Sequence, residues 1–155
     1  MKTRSKLAVA MLPMIVANVF ACTTIVVGKL ASANGEIMFG RNSDTRSPSR
    51  AKHLKIYPAS AEGAKFSALP YYDTESGDGM LQVAANQYGV AMSATETITS
   101  SDKVLSFDPF VSSGVSEYNV VMPVMRKAKS AADGIDLIGK RIEKEGAAEG
   151  FGIVL

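Results

Sequence analysis

Short runs of apolar and β-branched residues separated by polar turns fill the first two thirds of the chain, a pattern typical of strands. Five such runs predict strands, at residues 23–27, 36–40, 51–57, 80–85 and 90–94. Between the first two lies the pair Asn34-Gly35, whose residues tolerate the positive φ of a hairpin turn. The first two strands are therefore predicted to pair antiparallel, and residues 80–94 to form a second hairpin.

The apolar period changes to a helical one after residue 117. Helices are predicted over residues 118–128, where Pro123 would start or kink the helix, and over residues 132–145, which Gly146 would end. Two stretches rich in turn-forming residues, 60–79 and 100–114, are predicted to be irregular. A final apolar run over residues 150–155 predicts another strand.

Residues 1–21 have the pattern of a secretory signal: three basic residues, an apolar stretch from residue 7 to residue 20, and a small residue at Ala21. The apolar stretch is shorter than the roughly 20 residues that span a bilayer, and Pro13 and Asn18 interrupt it. We therefore expect cleavage after Ala21, a single domain over residues 22–155, and an exported protein, periplasmic or extracellular.

Charge and composition limit the partners of the cleaved chain. Loss of residues 1–21 leaves 14 basic and 15 acidic residues, so the formal charge changes from +2 to −1. No lysine or arginine patch suited to a phosphate backbone remains, and tryptophan is absent. These features argue against a nucleic-acid partner, and no His or Cys cluster has the spacing of a metal site. We expect no cofactor.

Cleavage after Ala21 would make the lone cysteine, Cys22, the first residue of the protein. An N-terminal α-amine has a reference pKa of about 7.7 to 8.0, against about 10.4 for lysine. A terminal cysteine thus carries a nucleophile and a usable base on one residue. The single histidine, His53, has no partner pattern around it and is expected at the surface or rim rather than in a catalytic triad.

Two charged residues are expected beside this cysteine. A hairpin returns the chain to its starting point, which would bring Arg41 and Asp44 close to Cys22. Arg41 would hold the sulfur anion and Asp44 would orient the ammonium, so that all three are predicted to be catalytic. The alternatives are a surface ion pair for the two charges, and a lipid anchor or an inert buried thiol for Cys22.

Several segments together resemble the bacterial dipeptidase A family of cysteine-type N-terminal-nucleophile hydrolases, relatives of choloylglycine hydrolases and penicillin V acylases. The segments that carry the resemblance are residues 22–29 (CTTIVVGK), 31–35 (ASANG), 40–44 (GRNSD) and 86–97 (NQYGVAMSATET), together with the helical stretch to Gly146. The resemblance implies an α+β fold, the four-layer αββα sandwich, incomplete in this chain. It also implies hydrolysis of dipeptides through a thioester on Cys22, supported by Arg41 and Asp44, without a metal.

Members of that family are longer, and their downstream oxyanion-hole asparagine has no counterpart before Leu155. Residues 22–155 are therefore expected to be the N-terminal part of the peptidase domain, and activity of this chain alone stays open. Open alternatives are an acylase acting on a conjugated bile acid or penicillin V, and a non-catalytic lipoprotein or binding remnant. The expected partner is a small peptide substrate, with no membrane anchor unless Cys22 is lipidated; a homo-oligomer is compatible with the sequence.

Overall fold

The computed structural model of the protein describes residues 22–43, 53–70, 80–96 and 98–155. Within these ranges the chain forms seven strands and three helices. The strands are β1 (Thr23–Val27), β2 (Met38–Asn42), β3 (Lys55–Tyr57), β4 (Phe66–Pro70), β5 (Leu81–Asn86), β6 (Ala91–Thr95) and β7 (Gly152–Val154). The helices are α1 (Asp102–Leu105), α2 (Glu117–Lys127) and α3 (Ala131–Glu145).

The strands form two antiparallel sheets. One is the β1-β2 hairpin, and the other has five strands in the order β3-β4-β5-β6-β7. Helix α2 packs on β5 and β6, and α3 packs on α2. The buried core lies between this helical layer and the larger sheet, and its largest members are Phe66, Leu81, Met92, Met125, Val115, Val120, Val121 and Val124.

The hairpin lies on the other face of the larger sheet. Met92 and Ala94 of β6 point into the helix-covered core, so the alternation of side chains along a strand turns Ser93 to the opposite face. There the Ser93 hydroxyl lies 2.8 Å from Oγ1 of Thr24 in β1. The molecule is thus mixed α and β, with a helical layer, a five-stranded layer and a hairpin layer in succession, an arrangement compatible with the predicted sandwich.

The predicted elements are largely confirmed. Strand β1 has its predicted bounds, and the Asn34-Gly35 turn is present with Gly35 at φ 74°. Strand β2 begins two residues later than predicted, because its pairing with β1 starts at Val27 opposite Met38. The second hairpin, both long helices, the stop of α3 at Gly146 and the C-terminal strand are also present.

Each of the two stretches predicted to be irregular contains one regular element, so the prediction is wrong for residues 66–70 and 102–105. Residues 60–79 contain β4, in which Phe66, Ala68 and Pro70 alternate into the core within a segment dominated by small residues. Residues 100–114 contain the short helix α1, which the Ser101 hydroxyl caps by accepting from the Val104 amide. Strand β4 forms because it pairs with neighbouring strands, and α1 forms because its first turn is capped; local composition reveals neither.

Pro123 lies inside α2 and does not start it. A proline there has no N–H for the carbonyl four residues earlier, which is that of Asn119. The Arg141 guanidinium of α3 donates to this carbonyl at 3.1 Å, while Glu145 holds the same guanidinium at 2.8 Å. A neighbouring helix therefore replaces the missing hydrogen bond, and α2 runs on to Lys127.

Candidate active site

Cys22 lies immediately before β1, half-buried and with a free thiol. Strand β1 pairs with β2 so that Thr24 faces Arg41, and the next position of the same face sets Cys22 beside Ser43. The sulfur lies 3.9 Å from the Ser43 hydroxyl oxygen, within hydrogen-bonding distance for sulfur. The hairpin therefore brings Cys22 and Arg41 to one face as diagonal neighbours, as the sequence predicts.

The guanidinium of Arg41 is buried and bound on two sides. Its Nη1 donates to the backbone oxygens of Gln82, at 2.9 Å, and of Ala94, and to the Ser93 hydroxyl at 2.9 Å. Its Nη2 donates to Oε1 of Glu117 at 2.9 Å. Of the three nitrogens of this guanidinium, Nε alone has no hydrogen-bond partner among the described residues. Arg41 is thus fixed rigidly, with its terminal nitrogens directed to the larger sheet and α2.

Glu117 is the acidic partner that the sequence did not reveal. It is the first residue of α2, where the helix dipole favours a carboxylate, and its Oε2 accepts from the Glu96 amide at 3.1 Å. Burial raises the pKa of its carboxyl above the usual 4.5, and the hydrogen bond and charge of Arg41 only partly oppose this. The local sequence signal, from Ser116 to Asn119, indicates the start of a helix. It does not indicate that Glu117 pairs with an arginine far away in the sequence.

A β-bulge aims Gln82 at the hairpin. Leu69 pairs with Val83 while Pro70 pairs with Leu81, so Gln82 is an extra residue on β5. Its carbonyl accepts from Arg41, and its Nε2 donates to the Ser43 hydroxyl at 2.5 Å. Gln82 therefore contacts Arg41 on β2 and Ser43 immediately after β2, and neither these contacts nor the bulge was predicted.

The other predicted site residues are placed as follows. Asp44 and the signal segment 1–21 lie outside the described residues, so the carboxylate contact to the terminal amine and the cleavage after Ala21 stay predictions. His53 is exposed, ahead of β3. In the ranges that the structure covers, no three His, Cys, Asp or Glu side chains are grouped to hold a metal ion. No helix of that same part is long and apolar enough to cross a bilayer.

An apolar cavity of about 180 Å³ lies between the hairpin and the larger sheet, lined by Phe39, Leu54, Leu69, Val83 and neighbouring small residues. Phe39 precedes Ser43 by four residues, which corresponds to roughly 13 Å along a strand. The cavity is thus too far along the hairpin to hold the groups directly bonded to a carbon attacked by Cys22.

Comparison with known proteins assigns the chain to a family. The family model of peptidase family C69 matches residues 21–155, and the chain belongs to that family. It is similar to a probable dipeptidase of Salmonella dublin, 35% identical over 99% of this chain and 39% of the relative. It is likewise similar to a probable dipeptidase of Latilactobacillus sakei, 31% identical, and to probable dipeptidase A of Streptococcus pyogenes serotype M1, 32% identical.

Each of the last two alignments covers 86% of this chain and 32% of the relative. The chain therefore spans 32% to 39% of the length of these curated relatives. The resemblance to dipeptidases drawn from the motifs is confirmed.

Proposed function

We propose that this chain supplies the nucleophile of a dipeptidase, with Cys22 attacking the peptide carbonyl after it becomes the N-terminal residue. The observation that carries the proposal is the hairpin geometry, in which Cys22 and Arg41 share one face in a member of peptidase family C69. The names of the similar proteins, all probable dipeptidases, support the substrate class.

The chemistry follows from the two groups on Cys22. Its α-amine takes the thiol proton, and the thiolate attacks the carbonyl carbon to give a tetrahedral oxyanion. Collapse breaks the carbon–nitrogen bond, the leaving amine receives the proton from the α-ammonium, and a thioester remains. Water then attacks the thioester with the α-amine as base, which releases the acid and restores the thiol.

Arg41 and Asp44 complete the proposed machinery. Arg41 stabilises the thiolate through the field of its fixed guanidinium, since its terminal nitrogens are already bonded to other groups. Asp44, two residues further along the sequence than the end of β2, is assigned the role of orienting the ammonium of Cys22. Ordered layers of helix, sheet and hairpin support the further proposal that the fold is that of N-terminal-nucleophile hydrolases.

Processing is the first test of the proposal. The intact mass of the exported protein is expected to match a chain that begins at Cys22 with an unmodified amine. A mass increased by a diacylglycerol would instead indicate a lipoprotein. A chain that begins at any other residue would refute the mechanism.

Activity is the second test. Hydrolysis of a dipeptide panel is expected for the processed protein. Cys22→Ala should abolish it because the nucleophile is lost, and Asp44→Asn should reduce it by at least about a hundredfold because the acid–base group loses its support. His53→Ala is the matched control and keeps full activity, because His53 is exposed and outside the site. Preferential turnover of a conjugated bile acid or penicillin V would replace the dipeptidase proposal with an acylase.

A further inference from the structure

We propose that Ser43 acts directly on the nucleophile, donating its hydroxyl hydrogen to the Cys22 thiolate, and that Gln82 sets the direction of this hydroxyl. The inference rests on the proposed function, in which Cys22 is the nucleophile, and adds two residues to the site. Its starting point is a chain of three polar groups: the sulfur of Cys22, the Ser43 oxygen 3.9 Å from it, and the Gln82 amide nitrogen 2.5 Å from that oxygen.

The direction of the hydrogen bonds follows from what each group can donate. A side-chain amide nitrogen only donates, so the Ser43 oxygen accepts from Gln82. A hydroxyl has a single hydrogen, which is then available to the sulfur. A thiolate only accepts, so once Cys22 has lost its proton the hydrogen bond between the two residues runs from Ser43 to the sulfur.

The supporting amide is held firmly in place. Gln82 is only 2% exposed, and the bulge that carries it is fixed by β4 on one side and β6 on the other. Its carbonyl is also bound by Arg41 at 2.9 Å. A donor on such a support loses little side-chain freedom when it binds the Ser43 oxygen, and the hydroxyl is oriented before the thiolate forms.

Among the described residues, Arg41 does not donate a hydrogen bond to the Cys22 sulfur. Its Nη1 and Nη2 donate to groups of β5, β6 and α2, whereas the hydrogen bond found at the sulfur is the one to Ser43. The two residues therefore have different roles: Arg41 contributes a fixed positive charge, and Ser43 contributes the hydrogen bond to the Cys22 sulfur. Hydrogen bonds to an ionised group are worth about twice those between neutral groups.

The pH dependence of Cys22 alkylation by iodoacetamide tests the assignment. The chain has one cysteine, so all labelling reports this thiol. Ser43→Thr keeps the hydroxyl, and Ser43→Val replaces it with a methyl group in a side chain of nearly the same shape. We expect Ser43→Val to raise the midpoint of the profile by about one pH unit and Ser43→Thr to keep it near that of the unaltered protein.

Two further variants complete the design. Ser67→Val makes a comparable hydroxyl-removing change on β4, away from the thiol, and should leave the profile unchanged. Gln82→Met removes the amide donor while leaving Ser43 intact, so it should shift the midpoint in the same direction by a smaller amount. If circular dichroism shows that a substitution at Ser43 prevents folding, the Gln82 variant still tests the hydrogen-bond chain from Gln82 through Ser43 to Cys22.

The inference is overturned if Ser43→Val leaves the midpoint unchanged, or if Ser43→Thr shifts it as far as Ser43→Val does. An unchanged midpoint in Gln82→Met would refute the part assigned to Gln82. Alkylation needs no substrate, so these outcomes are separate from the dipeptidase proposal. If the protein hydrolyses no dipeptide but Ser43→Val still shifts the profile, the proposed function fails and the Ser43 assignment stands.

Discussion

The Arg41 guanidinium and the Glu117 carboxylate, 76 residues apart in the chain, form an ion pair of 2.9 Å between side chains that are 2% and 7% exposed. The pair joins the hairpin that carries Cys22 to the first turn of α2. Both ions have lost most of their water, so the geometry depends on the additional hydrogen bonds from Glu96 and to Ser93. The position of Arg41 near the thiol therefore depends on a residue outside the hairpin.

Truncation of Glu117 should be strongly destabilising. Glu117→Ala leaves the buried Arg41 guanidinium without its counter-ion and the Glu96 amide without its acceptor, so we expect a loss of about 3 kcal/mol of unfolding free energy. Glu145→Ala is the matched control, because it breaks an ion pair with Arg141 at the surface and should have a small effect. Urea titration measures both, and equal losses would contradict the prediction.

The raised pKa of Glu117 gives the stability a specific pH dependence. Burial disfavours the ionised carboxyl in the folded state, so the folded protein holds this proton to higher pH than the unfolded chain does. The stabilisation that comes from this tighter proton binding is therefore fully present below about pH 4.5 and is lost as the pH rises through the folded value.

The measurement is the unfolding free energy of the unaltered protein minus that of Glu117→Gln, across pH. We expect this difference to fall as the pH rises above about 4.5, because the variant has no titrating group at residue 117. A difference that rises over that window would mean that the attraction of Arg41 outweighs burial, and the direction assigned to the pKa would be wrong.

Asn86 ties the second hairpin to the end of α2. Its Nδ2 donates to the carbonyls of Met125 and Ala128, and its Oδ1 accepts from the amides of Tyr88 and Val90. Asn86→Asp keeps the shape but removes both donors and sets a buried carboxylate against two carbonyls. We expect a loss of about 3 kcal/mol at neutral pH, measured by urea titration.

The same isosteric change at Asn34 is the control for Asn86. Asn34 lies in the exposed turn of the first hairpin, where water can solvate a carboxylate, so Asn34→Asp should change stability only slightly. The loss at Asn86 should also shrink on acidification as the new carboxyl gains a proton. If the loss of unfolding free energy in Asn86→Asp did not depend on pH, the charge of the new carboxylate would not be its cause.

Pro123 and Arg141 should be energetically coupled. Arg141→Leu removes the donor to the Asn119 carbonyl, and we expect it to lower the unfolding free energy by about 1 kcal/mol. In the Pro123→Ala background the new amide can donate to that carbonyl, so the same change should have a smaller effect. A double-mutant cycle measures the difference, and identical losses in both backgrounds would exclude the coupling.

The local elements of the site could be predicted from the sequence, but the contacts between them could not. The Asn34-Gly35 turn fixes the first hairpin, and the hairpin places Arg41 and Cys22 on one face. These conclusions need only turn chemistry and the alternation of strands. Glu117 was missed because its partner is 76 residues away, and at its own position it reads only as an acidic residue at a helix start.

The bulge at Gln82 was missed for a related reason. Within residues 80–85 the apolar pattern predicts a regular strand, and the extra residue becomes visible only when Leu69 and Pro70 are seen to pair with Val83 and Leu81. Strand β4 itself was hidden in a segment of small residues, so its register could not be used. Pairing between distant segments is the information that local propensity lacks.

The extra residue in β5 also limits how this part of the chain can change. Deleting Gln82 would restore an uninterrupted ladder to β4, yet it would withdraw both the carbonyl that anchors Arg41 and the amide that reaches Ser43. At this position, β5 cannot both pair regularly with β4 and supply these two hydrogen bonds to the hairpin. A single-codon deletion here would make the strand regular and remove two of the polar contacts that hold the hairpin to the larger sheet.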